Sequence, residues 1–366
     1  MSISALYVDA AVQTHPDVPN FESRLGLWAT VVDDPAVVYQ RVSAAADPIQ
    51  TAKQVLLLTR NRGAFLKKCP GTKSYTCCDY LILHIGTFCT MDCSYCILQS
   101  YFHPPVLQFF LNQADLLQEL HAHFSTRQIS RIGTGEFTDS LIWEYWTDQA
   151  ARLVTEFANQ NHCVLELKTK TAAINNLKGL SHNRKTILAW SVNTPAIIRS
   201  QEKGTASLKA RLEAAAKMEK HGYPLAFHFD PMVIYPGCEE AYGRVVEQIF
   251  EHVTPDNVAW ISLGTFRFMP ALKQVIVRRF ADSTIPYGEF ITGLDGKMRY
   301  FKPLRIALYQ QVASRIKALA PGVLTYYCME DDKVWLETLG FTPEEKGGLP
   351  AMLDEAAIRV CGLERK

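Results

Sequence analysis

The sequence predicts an α/β protein built on an open or partial (β/α) barrel, and three observations lead to that class. From about residue 80 onward, short apolar runs rich in β-branched residues alternate with longer amphipathic segments, as in parallel βαβ units. The apolar runs are continuous, which indicates a sheet covered on both faces. A turn signal between β-prone flanks adds a hairpin near the C-terminal part of the chain.

Seven strands and six helices are predicted in this region. The strands are expected at 80–85, 129–133, 163–167, 186–192, 224–229, 258–263 and 323–328. The helices are expected at 111–124, 141–160, 207–221, 239–252, 269–280 and 303–318. Functional side chains are expected at the carboxyl ends of the strands, where the loops of such a barrel gather.

Three segments complete the predicted organisation. Residues 1–78 form a small N-terminal region with strand-like runs at 5–9 and 54–59, and it ends in a basic, turn-rich stretch at 60–73. The barrel occupies 79–330 and includes a probable hairpin at 288–302, with Asp295-Gly296 as its two-residue turn. Basic residues follow that turn, and residues 331–366 are expected to form a C-terminal tail. The basic residues are Lys297, Arg299 and Lys302.

Composition restricts the function classes. A chain of 366 residues is long enough for one large domain and a smaller one. The formal net charge of +1 gives no global field that would recruit nucleic acid or a membrane surface, so any nucleic-acid contact must be a local basic face. No apolar run reaches the ~20 residues of a membrane span. Ten cysteines without an export signal predict a reduced, cytoplasmic protein.

Cys89, Cys93 and Cys96 form a C-x3-C-x2-C cluster, the most informative feature of the chain. Iron–sulfur clusters are held by thiolates, and a [4Fe–4S] cluster normally takes four. Three cysteines therefore leave one iron open to an exogenous ligand, as catalytic zinc sites leave one position open. The alternatives are a zinc site, a disulfide, or three structural cysteines. The fourth ligand of a zinc site would be His84, Asp92 or His103.

Polar residues end the next four predicted strands. They are Thr134-Gly135-Glu136, then Lys168 and Lys170, then Ser191 and Asn193, then His228 and Asp230. Their positions at the expected functional edge favour ligand binding. Each also has an ordinary structural interpretation as a surface turn, a solvated charge, a helix cap or a satisfied buried histidine.

The cysteine spacing, with Tyr95 directly before the third cysteine, resembles the radical S-adenosylmethionine (SAM) superfamily, in which the open iron binds SAM. Further pieces in the same order resemble the spore photoproduct lyase family of that superfamily, over about residues 54–330. They are Cys69-Pro-Gly-Thr72, Cys77-Cys78, Ile97-Leu-Gln99, Lys168-Thr-Lys170, Ser191-Val-Asn-Thr194, Glu202-Lys-Gly-Thr205, Arg211-Leu-Glu-Ala-Ala215, Gly222-Tyr-Pro-Leu225 and Glu239-Glu-Ala-Tyr242.

This resemblance implies a barrel of the radical SAM type that carries a [4Fe–4S] cluster and SAM. It implies reversal of a methylene-bridged thymine dimer in DNA, with electrons from a reductant such as flavodoxin or ferredoxin. The hairpin would lie on the lesion side, with its basic residues near phosphates. The resemblance places SAM binding on four residues, with Glu136 accepting hydrogen bonds from the SAM ammonium group. The four are Glu136, Thr138, Lys170 and Ser191.

Two positions depart from the family pattern. The family has a cysteine near the end of the second barrel strand that returns a hydrogen atom, and this sequence has Glu136 there. The family also has a tyrosine after the third cluster cysteine, and this sequence has Ile97, although Tyr95 is kept as a candidate for the radical relay. Either Cys238 or Cys328 donates instead, or the enzyme acts on a different substrate. A third possibility, from another class, is a zinc- or cluster-bearing nucleic-acid-binding protein without catalysis.

Overall fold

The computed structural model describes residues 2–71 and 75–365. Thr72 and Lys73, which belong to the predicted basic stretch and to one of the family-like motifs, lie outside the described residues. The strands found in the described part are β1 (Ala5–Asp9), β2 (Thr30–Val32), β3 (Val55–Thr59), β4 (Leu66–Lys68), β5 (Leu81–Leu83), β6 (Gly86–Thr87), β7 (Asp92–Cys93), β8 (Leu107–Phe110), β9 (Ser130–Gly133), β10 (Cys163–Thr169), β11 (Thr186–Ser191), β12 (Glu202–Lys203), β13 (Leu225–Met232), β14 (Val258–Thr265), β15 (Arg267–Phe268), β16 (Phe290–Thr292), β17 (Met298–Tyr300) and β18 (Leu324–Tyr327).

The α-helices of the described part are α1 (Val18–Leu25), α2 (Ala36–Ser43), α3 (Pro48–Ala52), α4 (Leu98–Tyr101), α5 (Gln113–Ser125), α6 (Gln149–Ala158), α7 (Pro195–Gln201), α8 (Leu208–Lys220), α9 (Cys238–His252), α10 (Pro270–Arg279), α11 (Lys302–Leu319), α12 (Asp332–Leu339) and α13 (Leu349–Cys361). Short 3₁₀ turns supplement them. α6, α8 and α13 pack against strands of the barrel, and α9 packs against α8 and α11.

The main sheet has eight strands in the order β18-β14-β13-β11-β10-β9-β5-β4. The seven strands from β18 to β5 are parallel to their neighbours, and only β4 runs antiparallel, beside β5. These seven are the strands predicted from the sequence. All residues of β11 and β14 are buried, as expected for a sheet covered on both faces. The predicted α/β class and partial barrel are confirmed.

A second sheet has five strands in the order β2-β1-β3-β8-β6. The first three strands lie before residue 60, and β8 and β6 come from beyond residue 85. β8 is parallel to β3, and β6 is antiparallel to β8. The N-terminal region therefore shares a sheet with the segments on both sides of the three cysteines.

One predicted helix is wrong in its extent. The segment 141–160 contains a 3₁₀ turn at Ile142–Tyr145 and then α6, which begins only at Gln149. The Glu144 carboxylate accepts a hydrogen bond from the Ala150 backbone N–H at 2.8 Å. This side chain satisfies an N–H at the start of α6, so the helix begins there and is not continuous with the preceding turn.

The predicted hairpin is present, but its two-residue turn is wrong. β16 pairs antiparallel with β17, and Thr292 faces Met298 across the ladder. The Gly296 N–H donates to the Gly293 carbonyl at 3.0 Å, and Gly296 has a φ of +75°. A turn followed by a glycine in the left-handed region is the three-residue type of hairpin connection. β15 adds a third strand beside β17.

Residues 331–366, expected to form a C-terminal tail, contain α12 and α13 in their described part. Trp335 of α12 is fully buried, and its ring centroid lies 5.0 Å from that of Tyr327. α13 contacts β9, β14 and β18, so this segment packs against the barrel. Among the helices of the described residues, none has the length and apolar character that crossing a bilayer requires.

Candidate functional site

The three cysteines lie in one loop between β6 and α4, which we call the cysteine loop (residues 88–97). Cys89 and Cys93 are buried, and Cys96 is partly exposed. The loop contains β7, which pairs antiparallel with β12 so that Cys93 faces Glu202. The Phe88 N–H donates to the Phe137 carbonyl at 2.8 Å. The loop is thus held by the barrel on two sides.

Two buried side chains bind the carbonyl groups of the cysteine loop. The Lys53 ammonium donates to the carbonyl oxygens of Cys89, at 3.1 Å, and of Met91. The Gln99 amide donates to the Cys93 carbonyl at 3.0 Å. These contacts fix backbone groups that the short strand β7 leaves unpaired. The sequence analysis missed Lys53, whereas Gln99 belongs to the family-like motif Ile97-Leu-Gln99.

Two thiols of the cysteine loop, those of Cys89 and Cys93, are held in a dry environment. Burial raises the pKa of Cys89 to about 12. Burial also raises the pKa of Cys93 well above its usual value, although the Lys170 ammonium opposes this. Because thiolates are the form that binds iron, loading the site requires proton release. The Met91 N–H donates to the Cys89 Sγ at 3.4 Å, the kind of contact that stabilises a cluster thiolate.

The donor set fits an iron–sulfur cluster better than a single zinc ion. Over residues 2–71 and 75–365, no three His, Cys, Asp or Glu side chains converge closely enough to hold one metal ion. A structural zinc needs four ligands at about 2.0–2.3 Å from one centre. In a four-iron cluster the thiolates bind different irons and are spaced by the cluster itself. The cysteine loop supplies three such thiolates within eight residues of sequence, Cys89 to Cys96.

The residues predicted to bind SAM lie at the carboxyl ends of consecutive strands. Glu136 is exposed in the loop after β9, and its charge raises the pKa of Lys168 at the end of β10, against the effect of burial. Thr138 is buried in the same loop. Lys170 directly follows β10, and its ammonium lies 5.8 Å from the centroid of the Tyr95 ring.

Asp139, which the sequence reading missed, joins these strand ends. Its carboxylate accepts hydrogen bonds from the Thr169 hydroxyl and the Lys170 backbone N–H, both at 2.8 Å. Burial raises the pKa of Asp139, and these donors oppose the shift. Gly135 is required in the same loop because a Cβ there would lie 2.9 Å from the Lys168 Cβ. The loop after β9 therefore lies tightly against the end of β10.

A buried network joins the cysteine loop to Ser191. The Tyr95 hydroxyl donates to Glu202, and Glu202 is paired at 2.5 Å with Arg211, which is fully buried. Arg211 in turn donates to the Ser191 carbonyl at 2.8 Å. Burial raises the pKa of Tyr95 far above its usual value, and the adjacent Glu202 carboxylate adds to the shift. Ser191 itself is buried at the end of β11.

Further ionisable pairs line the inside of the barrel. His228 on β13 binds the Glu166 carboxylate on β10 at 2.5 Å. Although burial raises the pKa of Glu166, His228 reverses the effect and the net shift is downward. Asp230 binds Arg267 at 3.3 Å. Both residues predicted at the end of β13 are thus engaged by other side chains.

The structure separates the two candidate hydrogen donors. Cys328 directly follows β18 and is partly exposed. Its environment includes the charges of Arg267, Asp230 and Glu136, and burial raises its pKa to about 12. Cys238 is fully buried at the start of α9, and its Sγ lies 3.4 Å from Glu239. Cys328 therefore shares the functional edge of the barrel with Glu136, whereas Cys238 lies within a helix on its outer side.

Comparison with known proteins decides the family. The family model described as "Spore photoproduct lyase" matches residues 51–293. The chain belongs to the spore photoproduct lyase family. The chain is 28% identical over 254 residues to the spore photoproduct lyase of Bacillus subtilis (strain 168), covering 66% of this chain and 74% of that protein. It is 25% identical over 210 residues to that of Geobacillus sp. (strain Y412MC61), covering 56% and 62%.

Solved structures agree in fold. A cysteine-mutant spore photoproduct lyase with bound AdoMet and dinucleoside spore photoproduct superposes with a TM-score of 0.77 at 20% identity, covering 89% of this chain and 99% of that chain. A second mutant structure gives a TM-score of 0.78 at 21% identity, with the same coverage. Family membership makes this protein a radical SAM enzyme whose cofactors are a [4Fe–4S] cluster and SAM.

Replacement of one cluster cysteine tests the cysteine loop. We expect Cys93→Ala to lose iron, the cluster absorbance and SAM cleavage together, because two thiolates from this loop cannot hold the cluster. The measurement is iron content and 5′-deoxyadenosine after anaerobic reconstitution. Cys163→Ala is the matched control, since Cys163 is equally buried but starts β10 at the opposite end of the sheet. Retained SAM cleavage in Cys93→Ala would contradict the assignment.

Proposed function

We propose that this protein reverses a thymine photolesion in DNA by radical chemistry. The observation that carries the proposal is the arrangement of the cysteine loop, Glu136, Lys170 and Ser191 along one edge of a parallel sheet, in a member of the spore photoproduct lyase family. When bound, the cluster and SAM supply a 5′-deoxyadenosyl radical. The protein binds and orients the reactants and excludes water. A flavodoxin or ferredoxin is the proposed reductant, and the cytoplasm the proposed compartment.

Four residues are proposed to hold SAM. The Glu136 carboxylate faces the barrel edge and accepts the SAM ammonium group, a charge-assisted contact. The Lys170 ammonium and the Ser191 and Thr138 hydroxyls complete the site. The network from Tyr95 through Glu202 and Arg211 supports this assignment because it fixes Ser191 relative to the cysteine loop.

Tyr95 is proposed as a relay for the radical. Its hydroxyl already donates to the Glu202 carboxylate, which can take the phenolic proton when the ring is oxidised. The net shift of the Glu202 pKa is downward, since Arg211 and Lys170 outweigh the effect of burial, so this carboxylate is available as an acceptor. Ile97, at the position of the missing tyrosine, cannot serve in this way.

The hairpin is proposed to meet the DNA with apolar side chains. The basic residues expected to contact phosphate are engaged within the protein: Arg299 is buried and bound to Asp295 at 2.6 Å, and Lys302 binds Asp331 at 2.6 Å. By contrast, Leu294 at the tip is 79% exposed, and Ile291 is 45% exposed. Apolar wedges of this kind separate stacked bases, and damaged bases are the easiest to extrude.

Cys328 is proposed to return the hydrogen atom. A thiol donates a hydrogen atom well and a carboxylate poorly, so Glu136 cannot replace the family cysteine. Cys328 lies at the same edge as Glu136, and its high pKa keeps it as a thiol, the form that carries the hydrogen atom. Cys238 is buried on α9 and is the weaker candidate.

A second function has one observation in its favour. Glu136 and Ile97 stand where the family has its donor cysteine and a relay tyrosine. A relative that acts on another substrate with the same radical would not need that thiol. Under this second function only the substrate differs, and the cluster and SAM site are those described above.

The decisive experiment uses reconstituted protein and DNA. We expect dithionite-reduced enzyme to form 5′-deoxyadenosine and repaired thymine only when the DNA carries the methylene-bridged thymine lesion. Chromatography of both products on lesion-containing and intact DNA measures this. Abundant 5′-deoxyadenosine without repair would support the second function. Absence of SAM cleavage would reject both.

The SAM site is tested by Glu136→Ala. We expect weaker SAM binding, by roughly tenfold or more, because a charged contact of this kind contributes about 1.5–3 kcal/mol. Calorimetric titration of SAM into the anaerobic, cluster-loaded protein measures it. Glu240→Ala is the control, since Glu240 is an exposed acid on the outer helix α9. Unchanged SAM affinity in Glu136→Ala would show that Glu136 does not bind SAM and would favour a role for it in substrate binding.

The hydrogen donor is tested by Cys328→Ala. We expect at least a tenfold loss of repaired thymine per 5′-deoxyadenosine formed, because the product radical has no thiol to quench it. The same ratio in Cys238→Ala is expected to equal that of the wild type. If this ratio falls in Cys238→Ala and is unchanged in Cys328→Ala, the hydrogen donor is Cys238.

A further inference from the structure

We propose that the buried ammonium group of Lys53 raises the reduction potential of the cluster held by the cysteine loop. Lys53 follows α3 and precedes β3, so it belongs to the N-terminal region and not to the barrel. It is separated by 36 residues from Cys89, the nearest cluster ligand in sequence. The inference concerns the cofactor alone and holds whichever substrate the enzyme uses.

The position of Lys53 is defined by several independent contacts. The residue is 1% exposed. Its ammonium donates to the carbonyl oxygens of Cys89 and Met91, and it lies 4.7 Å from the centroid of the Phe88 ring. Three of its neighbours, Phe88, Cys89 and Met91, therefore belong to the cysteine loop. Placing a long, flexible cation here costs desolvation and side-chain entropy, which a purely apolar side chain would avoid.

The buried ionised side chains at Lys53 carry a net positive charge next to the cysteine loop. Asp92 lies 3.7 Å from the Lys53 ammonium, and its carboxylate is also bound by Arg279 at 3.0 and 3.3 Å. The side chains of all three residues are at least nine-tenths buried. Two buried cations thus share one buried carboxylate. Asp47 binds Arg279 from the other side, but its side chain is 45% exposed and its charge is screened by water.

This arrangement has a definite electrostatic consequence. Reduction adds one electron to a cluster that already carries three thiolate ligands. A nearby buried cation stabilises the added negative charge, and the low dielectric of the interior strengthens the effect. Net charge and hydrogen bonding around the sulfurs are the protein's means of setting such potentials. Lys53 acts through the loop backbone and its own charge without touching a reacting atom, so it is a positioning residue.

Opposite charge changes at Lys53 and Asp92 test the proposal. The reduction potential is measured by potentiometric titration followed by EPR of the reduced cluster, without SAM. Lys53→Met is expected to lower the potential by about 59 mV or more, the equivalent of a tenfold change in a one-electron equilibrium. Asp92→Asn is expected to raise it, because the carboxylate that offsets the two cations is gone. Lys53→Arg keeps the charge and is expected to restore the wild-type value.

Lys185→Met is the matched control. Lys185 is also buried, and its ammonium also donates to two backbone carbonyls, those of Cys361 at 3.0 Å and Gly362 at 2.8 Å. It precedes β11 at the end of the sheet opposite the cysteine loop. We expect Lys185→Met to leave the potential unchanged even if it lowers thermal stability. Iron content is measured for every variant, so that a lost cluster is distinguished from a shifted one.

Two results would overturn the proposal. One is an unchanged potential in a fully loaded Lys53→Met protein, or an equal shift in Lys185→Met. The other is an Asp92→Asn potential that stays constant or falls, since loss of a negative charge and loss of a positive charge must act in opposite directions. If Lys53→Met does not fold, Lys53→Gln takes its place with the same expected fall in potential, because it removes the charge and keeps an N–H donor for the loop carbonyls.

Discussion

The ion pair between Glu202 and Arg211 is the interaction on which the site depends. Both side chains are buried, and each makes a second contact that matters: Glu202 accepts from Tyr95 in the cysteine loop, and Arg211 donates to the Ser191 carbonyl on β11. Breaking such a pair typically costs about 3–5 kcal/mol, because it leaves an uncompensated buried charge. Compared with apolar packing of the same volume, such a pair adds little to the free energy of unfolding. Its role here is to fix the position of the cysteine loop relative to the strand ends.

The cysteine loop also joins the two sheets. It leaves the five-stranded sheet through β6, contributes β7 to a pair with β12 beside the barrel, and returns through α4 to β8. Lys53, just before β3 of the five-stranded sheet, donates to the loop carbonyls, and β12 and Phe137 contact the loop from the part of the chain that forms the barrel. The N-terminal region is therefore part of the cofactor site, and a description of the enzyme as a barrel with an appended region would miss this.

The sequence predicted what depends on local pattern. Seven continuous apolar runs became the seven parallel strands, and the C-x3-C-x2-C spacing indicated the metal site. Features that depend on distant partners were missed. Glu144 caps α6 with its side chain, which no periodicity reveals. Lys53 drew no prediction, and Arg211 stood only in a family-like motif without a role, since a buried cation is identifiable only when its acceptors are known. Arg299 looked like a phosphate contact, yet Asp295, four residues earlier, takes its charge.

The departure at Glu136 changes the electrostatics of the barrel edge as well as its redox chemistry. A carboxylate in place of a thiol adds a negative charge that raises the pKa of Lys168 against the effect of burial, and it contributes to the raised pKa of Cys328 after burial, Asp230 and Cys69. A protonated thiol is the form from which a hydrogen atom can be taken, and a thiolate is not. The residue that stands in place of the family donor thus favours the donating form of Cys328, which follows the edge strand β18. With Cys328 as the proposed donor, the requirement for a protonated thiol is kept, and the thiol follows β18 and not β9.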